Sequence, residues 1–341
     1  MKLSTFIMKR LFFSLIVLFG LSILIFLIAR VVPGDPVRLA FGARAPDHVV
    51  EKMREEMHLN DPIFVQYIIW FRNALRGDFG KSLFTRQDVF TDIKEFLPAT
   101  LELALVAGII MSVMGILLGS ISAQFKNSWI DNGVRIFSYI GVVTPAFVFA
   151  VLFVLLFGYV FELLPTAGRL SGGLAPPTRI TGMLLLDSLL TGNFAVFFDA
   201  LKHVIMPAAS LSMAGMAQQS RITRGSMSDN FQKDYILAHK TYGIPKKTIL
   251  FKYLLKPSLI PTVSILGLDF AALLGNAFLV ELVFNWPGIS RYGINAILRK
   301  DLNVVTAVVM ILGISFVTIN IIVDIVVAYL DPRIRMGREG K

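Results

Sequence analysis

Cysteine is absent from the 341 residues, which rules out disulfides, thiolate metal sites and a cysteine nucleophile. Histidine is nearly absent. His48, His58, His203 and His239 are scattered and show no zinc-ligand spacing. Charge is scarce at 16%, against 55% hydrophobic residues and a mean hydropathy of +0.70. That balance excludes an ordinary soluble domain and fits a chain that crosses a bilayer several times. The net charge of +10 is better explained by the topology of loops than by nucleic acid. No internal repeat is evident.

What is present is a series of apolar runs. A spanning helix needs about 20 mostly apolar residues. The sequence predicts six spans: Leu11–Ala29, Leu103–Phe125, Ile136–Phe161 broken at Pro145, a short Val204–Ser220 containing Pro207, Pro261–Phe284 and Leu302–Tyr329. Leu11–Ala29 reads as an anchor and not a cleavable signal, because the run is long and no small-residue cleavage site follows. Ile180–Phe198 is cut by Gly182, Asp187 and Gly192-Asn193, and reads as an external helix or surface segment. The resulting organisation is an anchor over 1–31, an extracytoplasmic segment over 32–98, a five-helix core over 99–330 with a loop over 221–257, and a tail over 331–341.

Basic residues collect on one side of this arrangement. Lys2, Lys9 and Arg10 precede the first span, Lys126 and Arg135 flank the second loop, and Arg221, Arg224, Lys233, Lys240, Lys246, Lys247, Lys252 and Lys256 crowd the fourth. The positive-inside rule places both termini and that loop in the cytoplasm.

The fourth loop holds the most informative stretch, Ser228-Asp-Asn-Phe-Gln-Lys-Asp-Tyr-Ile-Leu-Ala-His-Lys-Thr-Tyr-Gly243-Ile-Pro-Lys-Lys247. Gly243 suits the left-handed position past a helix end, and Pro245 suits the start of the next helix. The spacing predicts a helical elbow that a soluble partner could grip, with Tyr235, Ile236, Ile244 and Ile249 filling its groove and Lys246 and Lys247 at the rim. Arg76-Gly-Asp-Phe-Gly-Lys-Ser82 superficially has the ending of a phosphate-binding loop, but the first required glycine is replaced by Leu75, so no nucleotide site is expected.

Acids inside spans are costly and usually face a bundle interior or a wet cavity. Glu102, Glu281 and Asp324 read as structural hydrogen-bonding groups, and Asp269 as a candidate lining of a translocation path. Met216, Gln218 and Asn276 join it as candidate lining. Trp286, Pro287 and Gly288 are expected to turn the chain into a short external helix over 289–298. Together with Glu281 they are read as an outer gate or a contact for an external protein. Asp269 with Asp324 would be the only acid dyad for an intramembrane enzyme, and neither has a recognisable catalytic setting. An ion-driven secondary transporter is the other alternative, disfavoured by the absence of a visible repeat.

Several motifs, in order, resemble one family nearly end to end: Arg30-Val-Val-Pro-Gly-Asp-Pro36, Arg76-Gly-Asp-Phe-Gly-Lys-Ser82, Leu97-Pro-Ala-Thr-Leu-Glu-Leu103, Leu164-Pro-Thr-Ala-Gly-Arg169, Glu281-Leu-Val-Phe-Asn-Trp-Pro-Gly288 and Leu330-Asp-Pro-Arg-Ile-Arg335. The chain resembles the permease subunits of oligopeptide, dipeptide and nickel ABC importers. The resemblance implies an all-α polytopic membrane protein of six transmembrane helices, one peripheral and five forming the core, in a prokaryotic cell membrane. It implies a second homologous permease, two cytoplasmic ATPases and an extracytoplasmic binding protein as partners. No nucleic acid is implied. It assigns no cofactor and no catalytic or metal residue to this chain, since ATP and Mg would be used by the ATPases. The ATPase coupling residues would be Asp234, Tyr235, Ala238, His239, Gly243, Ile244, Pro245 and Lys246. His239 and Tyr242 are bulkier than the family pattern expects. The implied substrate is a di- or oligopeptide, with nickel chelates, glutathione and oligosaccharides as alternatives on the same scaffold.

Overall fold

A computed structural model describes residues 3–31, 37–38 and 45–330. Two expected motif segments, Val32-Pro-Gly-Asp-Pro36 and Asp331-Pro-Arg-Ile-Arg335 with the rest of the 331–341 tail, lie outside the described residues, as does the Asp324 side chain.

Among the described residues five helices are long and apolar enough to cross a bilayer: Ile7–Arg30, Val89–Gln124, Phe194–Phe231, Lys246–Val283 and Leu302–Val323. The pair Trp129–Val143 and Ala146–Val160, bent by 111°, is either a broken sixth span or a re-entrant loop. Among the described residues there is no sheet, only an isolated bridge between Lys81 and Asp88. In chain order the helices are α1 (Leu3–Val31), α2 (Asp47–Glu56), α3 (Ile63–Ala74), α4 (Val89–Gln124), α5 (Trp129–Val143), α6 (Ala146–Phe153, continued by a π turn Val154–Val160), α7 (Leu184–Leu190), α8 (Phe194–Phe231), α9 (Asp234–Thr241), α10 (Lys246–Val283), α11 (Ile289–Arg299) and α12 (Leu302–Leu330).

The centre of the bundle is α4 against α8, flanked by α5, α6 and α10. Its core joins Ala104, Ala107 and Met111 of α4 to Met213 and Met216 of α8 and to Leu273 and Leu274 of α10. Small side chains let these backbones approach closely, which is how helices associate where lipid removes the hydrophobic drive. Helix α1 stands at the edge, packed on α12 and on α3. Phe26, Trp70 and Met310 bury together there, and Ser22 and Tyr67 share a hydroxyl hydrogen bond of 2.9 Å.

Several expected boundaries are corrected. Helix α4 begins at Val89 and not at Leu103, passing through Pro98. Proline removes the N–H that would bond the Lys94 carbonyl. Arg179 donates to that carbonyl instead, at 2.5 Å, so the helix continues. The third span is no mild kink. Thr144 before Pro145 is extended (φ −86°, ψ 126°), the conformation proline imposes on its predecessor, and the chain leaves in a new direction. Ile180–Phe198 divides into α7 and the first turn of α8, the latter capped by Asn193, whose side chain accepts from the Val196 N–H at 3.2 Å. The expected loop over 221–257 is almost wholly helical. Helix α8 runs on to Phe231, and α10 starts at Lys246 with a π turn over Ile249–Leu255 just before Pro257, another missing donor.

Candidate functional site

Two ends of the bundle carry the notable chemistry. At the first, which we term the elbow end, α8 stops at Phe231 and α9 turns back beneath it. Its stop is a Schellman motif. Gly243 has φ +71°, its N–H reaches the Lys240 carbonyl at 3.1 Å, and the Ile244 N–H reaches the His239 carbonyl at 3.1 Å. A side chain in that left-handed conformation would be strained. Pro245 then caps α10, with Lys246 exposed as its first residue.

The inner face of α9 is fully used within the chain. Ile236 buries against Ala123, Met227, Ile249 and Leu254, with Ile244 and Phe231 around them. The expectation that Ile236 and Ile249 present themselves to a partner is therefore corrected, because helical periodicity turns both inward. Leu237 is 66% exposed and Tyr242 83%, with Asp234, Tyr235 and Ala238 also at the surface. His239 stacks on Tyr253 of α10 with ring centroids 4.0 Å apart, and so fixes the elbow to the next span.

Just above the elbow lies a group the sequence did not reveal. Arg224 of α8 grips Asp131 of α5 by two hydrogen bonds of 2.6 and 2.7 Å. Ser122 of α4 donates to the same carboxylate at 2.6 Å, and the Asn127 N–H at 3.0 Å. Arg224 was legible only as one more cation of a basic loop, because its partner lies 93 residues away.

The opposite end is termed the latch end. The fully buried Glu281 of α10 accepts from Thr100 of α4 at 2.5 Å and from the Arg291 N–H at 2.8 Å. Thr100 in turn accepts from the Ile289 N–H at 2.8 Å. A carboxylate thus sits beneath the first turn of α11, where free N–H groups and the helix dipole favour an anion. Gly288 is required by contact and not by its dihedrals, since a Cβ there would lie 2.2 Å from the Glu281 Oε1. Trp286 is buried and donates from Nε1 to the Ala99 carbonyl at 3.0 Å. Glu281, Trp286 and Gly288 therefore face inward and offer no surface to an external protein, contrary to the expected contact. Pro287 alone of the four is part-exposed.

Further carboxylates close the same end. Ser82 and the Leu83 N–H donate to Asp301 at 2.7 and 2.9 Å, so Gly80-Lys81-Ser82 is a docking turn. Glu102 pairs with Arg169 and accepts from the Leu185 N–H at 2.6 Å. Asp187 gathers Thr181, Gly182 and Ile180.

Midway between the ends, Gln219 of α8 donates to Asp269 of α10 at 2.5 Å. Met216 is buried in the core, Gln218 is half-buried and Asn276 is exposed two turns beyond Asp269. Among the described residues no cluster of three or more metal-ligating side chains forms.

The family described as "Binding-protein-dependent transport system inner membrane component" matches residues 115–336, and its N-terminal companion matches residues 3–104. The chain belongs to the permeases of binding-protein-dependent ABC importers. Among similar proteins, a probable D,D-dipeptide transport system permease of Escherichia coli K12 is 38% identical, over 94% of this chain and 95% of its own. A di/tripeptide permease of Pseudomonas aeruginosa is 34% identical over 98% and 99%, and a glutathione permease of Escherichia coli K12 is 30% identical over 97% and 98%. The permease is thus a multi-pass inner-membrane protein of a transport family, not of a family of enzymes. Both of its structured ends lie within the matched regions, the elbow in 115–336 and the docking turn in 3–104.

Proposed function

We propose that this permease, with a second permease of the same family, forms the translocation path of an ATP-driven importer for di- or oligopeptides. Helix α9 is its coupling helix. The termini and the elbow lie in the cytoplasm, where two ATPases dock, and the latch end faces an external binding protein. The observation that carries this reading is the elbow itself. A short helix with an exposed apolar outer face is fused on both sides to spanning helices, so motion of a docked partner is passed to α8 and α10 without slack. The excess of Lys and Arg at that end supports its cytoplasmic side. The peptide substrate is supported by the D,D-dipeptide, di/tripeptide and glutathione systems to which the relatives belong.

Purification from native membranes in mild detergent, followed by mass spectrometry, tests the reading. The wild-type chain is expected to bring down a second permease and an ATPase. Leu237→Asp with Tyr242→Asp alters only exposed side chains, so the second permease should stay while the ATPase is lost. Recovery of the wild-type chain without any ATPase, or an ATPase indifferent to both substitutions, would sink the coupling assignment.

A further inference from the structure

We propose that Asp269 is the point at which the transported peptide's protonated amino group is recognised, and that Gln219 positions it for that purpose. The inference rests on the reading of this chain as a peptide permease subunit and names the chemistry of its path.

Asp269 stands about midway between Lys256 and Val283, in the middle of the apolar stretch of α10. An ionised side chain at that depth needs a compensating partner. Glu102 and Asp131 have one within the chain, in Arg169 and Arg224, and the buried Glu281 is held by two donors, Thr100 and the Arg291 N–H. Asp269 has none. Among the described residues only the neutral amide of Gln219 bonds it, and no charged group acts on it.

The geometry is that of a held acceptor. Gln219 is fully buried and donates from Nε2 to one carboxylate oxygen, Oδ2. The other oxygen, Oδ1, accepts no hydrogen bond among the described residues, and Asp269 is only half-buried, so it stays open to a donor from outside the chain. Gln219 also has its own orphan, a buried Oε1 without a partner. That oxygen is sealed inside the bundle, so the acceptor left for an outside donor is the Asp269 Oδ1, beside one negative charge. An anion would be repelled and a divalent metal would lack ligands. A primary ammonium supplies both the positive charge and an N–H donor for Oδ1. Ala272 and Asn276 lie three and seven residues on, along the same exposed helix face, and Asn276 offers an amide to a peptide bond behind the bound amine.

The test uses the assembled complex in nanodiscs without its binding protein. Saturation-transfer NMR reads the binding of alanyl-alanine and of its N-acetyl derivative, and uptake of alanyl-alanine into cells is measured alongside. The free peptide is expected to bind, and acetylation to weaken it about tenfold, the loss of one hydrogen bond to a charged group. Asp269→Asn should weaken the free peptide by about the same factor, leave the acetylated one unchanged, and so close a cycle in which ligand and residue are coupled. Asp269→Glu should restore much of the affinity. Equal binding of both peptides, or equal losses for both in Asp269→Asn, overturns the proposal. So does no binding to the wild-type complex while cellular uptake proceeds. Failure of wild-type uptake itself instead overturns the peptide-importer reading.

Discussion

The latch end and the elbow end meet their surroundings in opposite ways. At the latch end carboxylates are gathered inward and hydrogen-bonded. Glu281 takes Thr100 and the first turn of α11, Asp301 takes Ser82, and Glu102 takes Arg169. At the elbow end one buried ion pair, Asp131 with Arg224, holds three helices together, and beyond it lie apolar side chains that nothing among the described residues covers. Leu237, Tyr242 and Phe251 are more than half exposed there. Carboxylates closed by hydrogen bonds need nothing further, whereas large exposed apolar groups beside a rigid lever are what the proposed docking of another protein would cover.

The comparison breaks most completely at Gly288. Ala there would drive a methyl into the Glu281 carboxylate, which two donors hold in place and which has no solvent to retreat into. Overpacking and the loss of charged hydrogen bonds together should cost about 3 kcal/mol or more. Thermal unfolding of purified Gly288→Ala is expected to show a permease that is unstable throughout, although the proposed ATPase contact lies at the far end. Wild-type stability would show that the latch yields and is not what closes this end.

Next in size is Arg224→Met. It leaves Asp131 fully buried with only Ser122 and the Asn127 N–H, and stranding one member of a buried pair costs about 3–5 kcal/mol. Arg224→Met with Asp131→Leu should recover much of that loss, since a well-packed apolar pair often replaces a buried ion pair without penalty. The double variant is expected to fold yet couple poorly if the ion pair also orients α5 relative to the elbow. Unfolding midpoints together with peptide-stimulated ATP hydrolysis separate the two roles.

How far these features could be read in advance follows from the range of the interactions that make them. The spans are legible because bilayer thickness demands long apolar runs, and the elbow because Gly243 and Pro245 carry local backbone chemistry. The start of α4 was not. Pro98 looked like a boundary, and the Arg179 side chain that satisfies its orphaned carbonyl comes from 85 residues away. The same distance hid Asp131 with Arg224, and Ser82 with Asp301, separated by 219 positions. The inward turn of Ile236 and Ile249 was open to helical periodicity, but only once the α9 boundaries were known. The burial of Glu281 and Trp286 depends on how α11 folds back over α4, which no single segment encodes.

The smallest effect sharpens the comparison within the latch end itself. Asp187 and Asp301 both lie outside the spans, and their acidities move in opposite directions. Burial pulls the Asp187 carboxyl up, but hydrogen bonds from Thr181, Gly182 and Ile180 outweigh it and hold the group below its usual range. Burial dominates at Asp301 and raises it, despite the donation from Ser82. An acid with a lowered folded value contributes stability above its unfolded value, about 3.9, and loses it as pH falls through the folded one. An acid with a raised folded value does the reverse, because the fold takes up its proton first and gains stability as pH drops through that value. Hydrogen exchange corrected for intrinsic rates should therefore show protection at Thr181 and Gly182 falling below about pH 4, while protection at Leu83 rises as pH is lowered toward about 4 and then holds. Asp187→Asn should remove the first dependence and leave the second. If both regions loosened together on acidification, the latch would be one cooperative unit governed by net charge, and the separate role given to each carboxylate would fail.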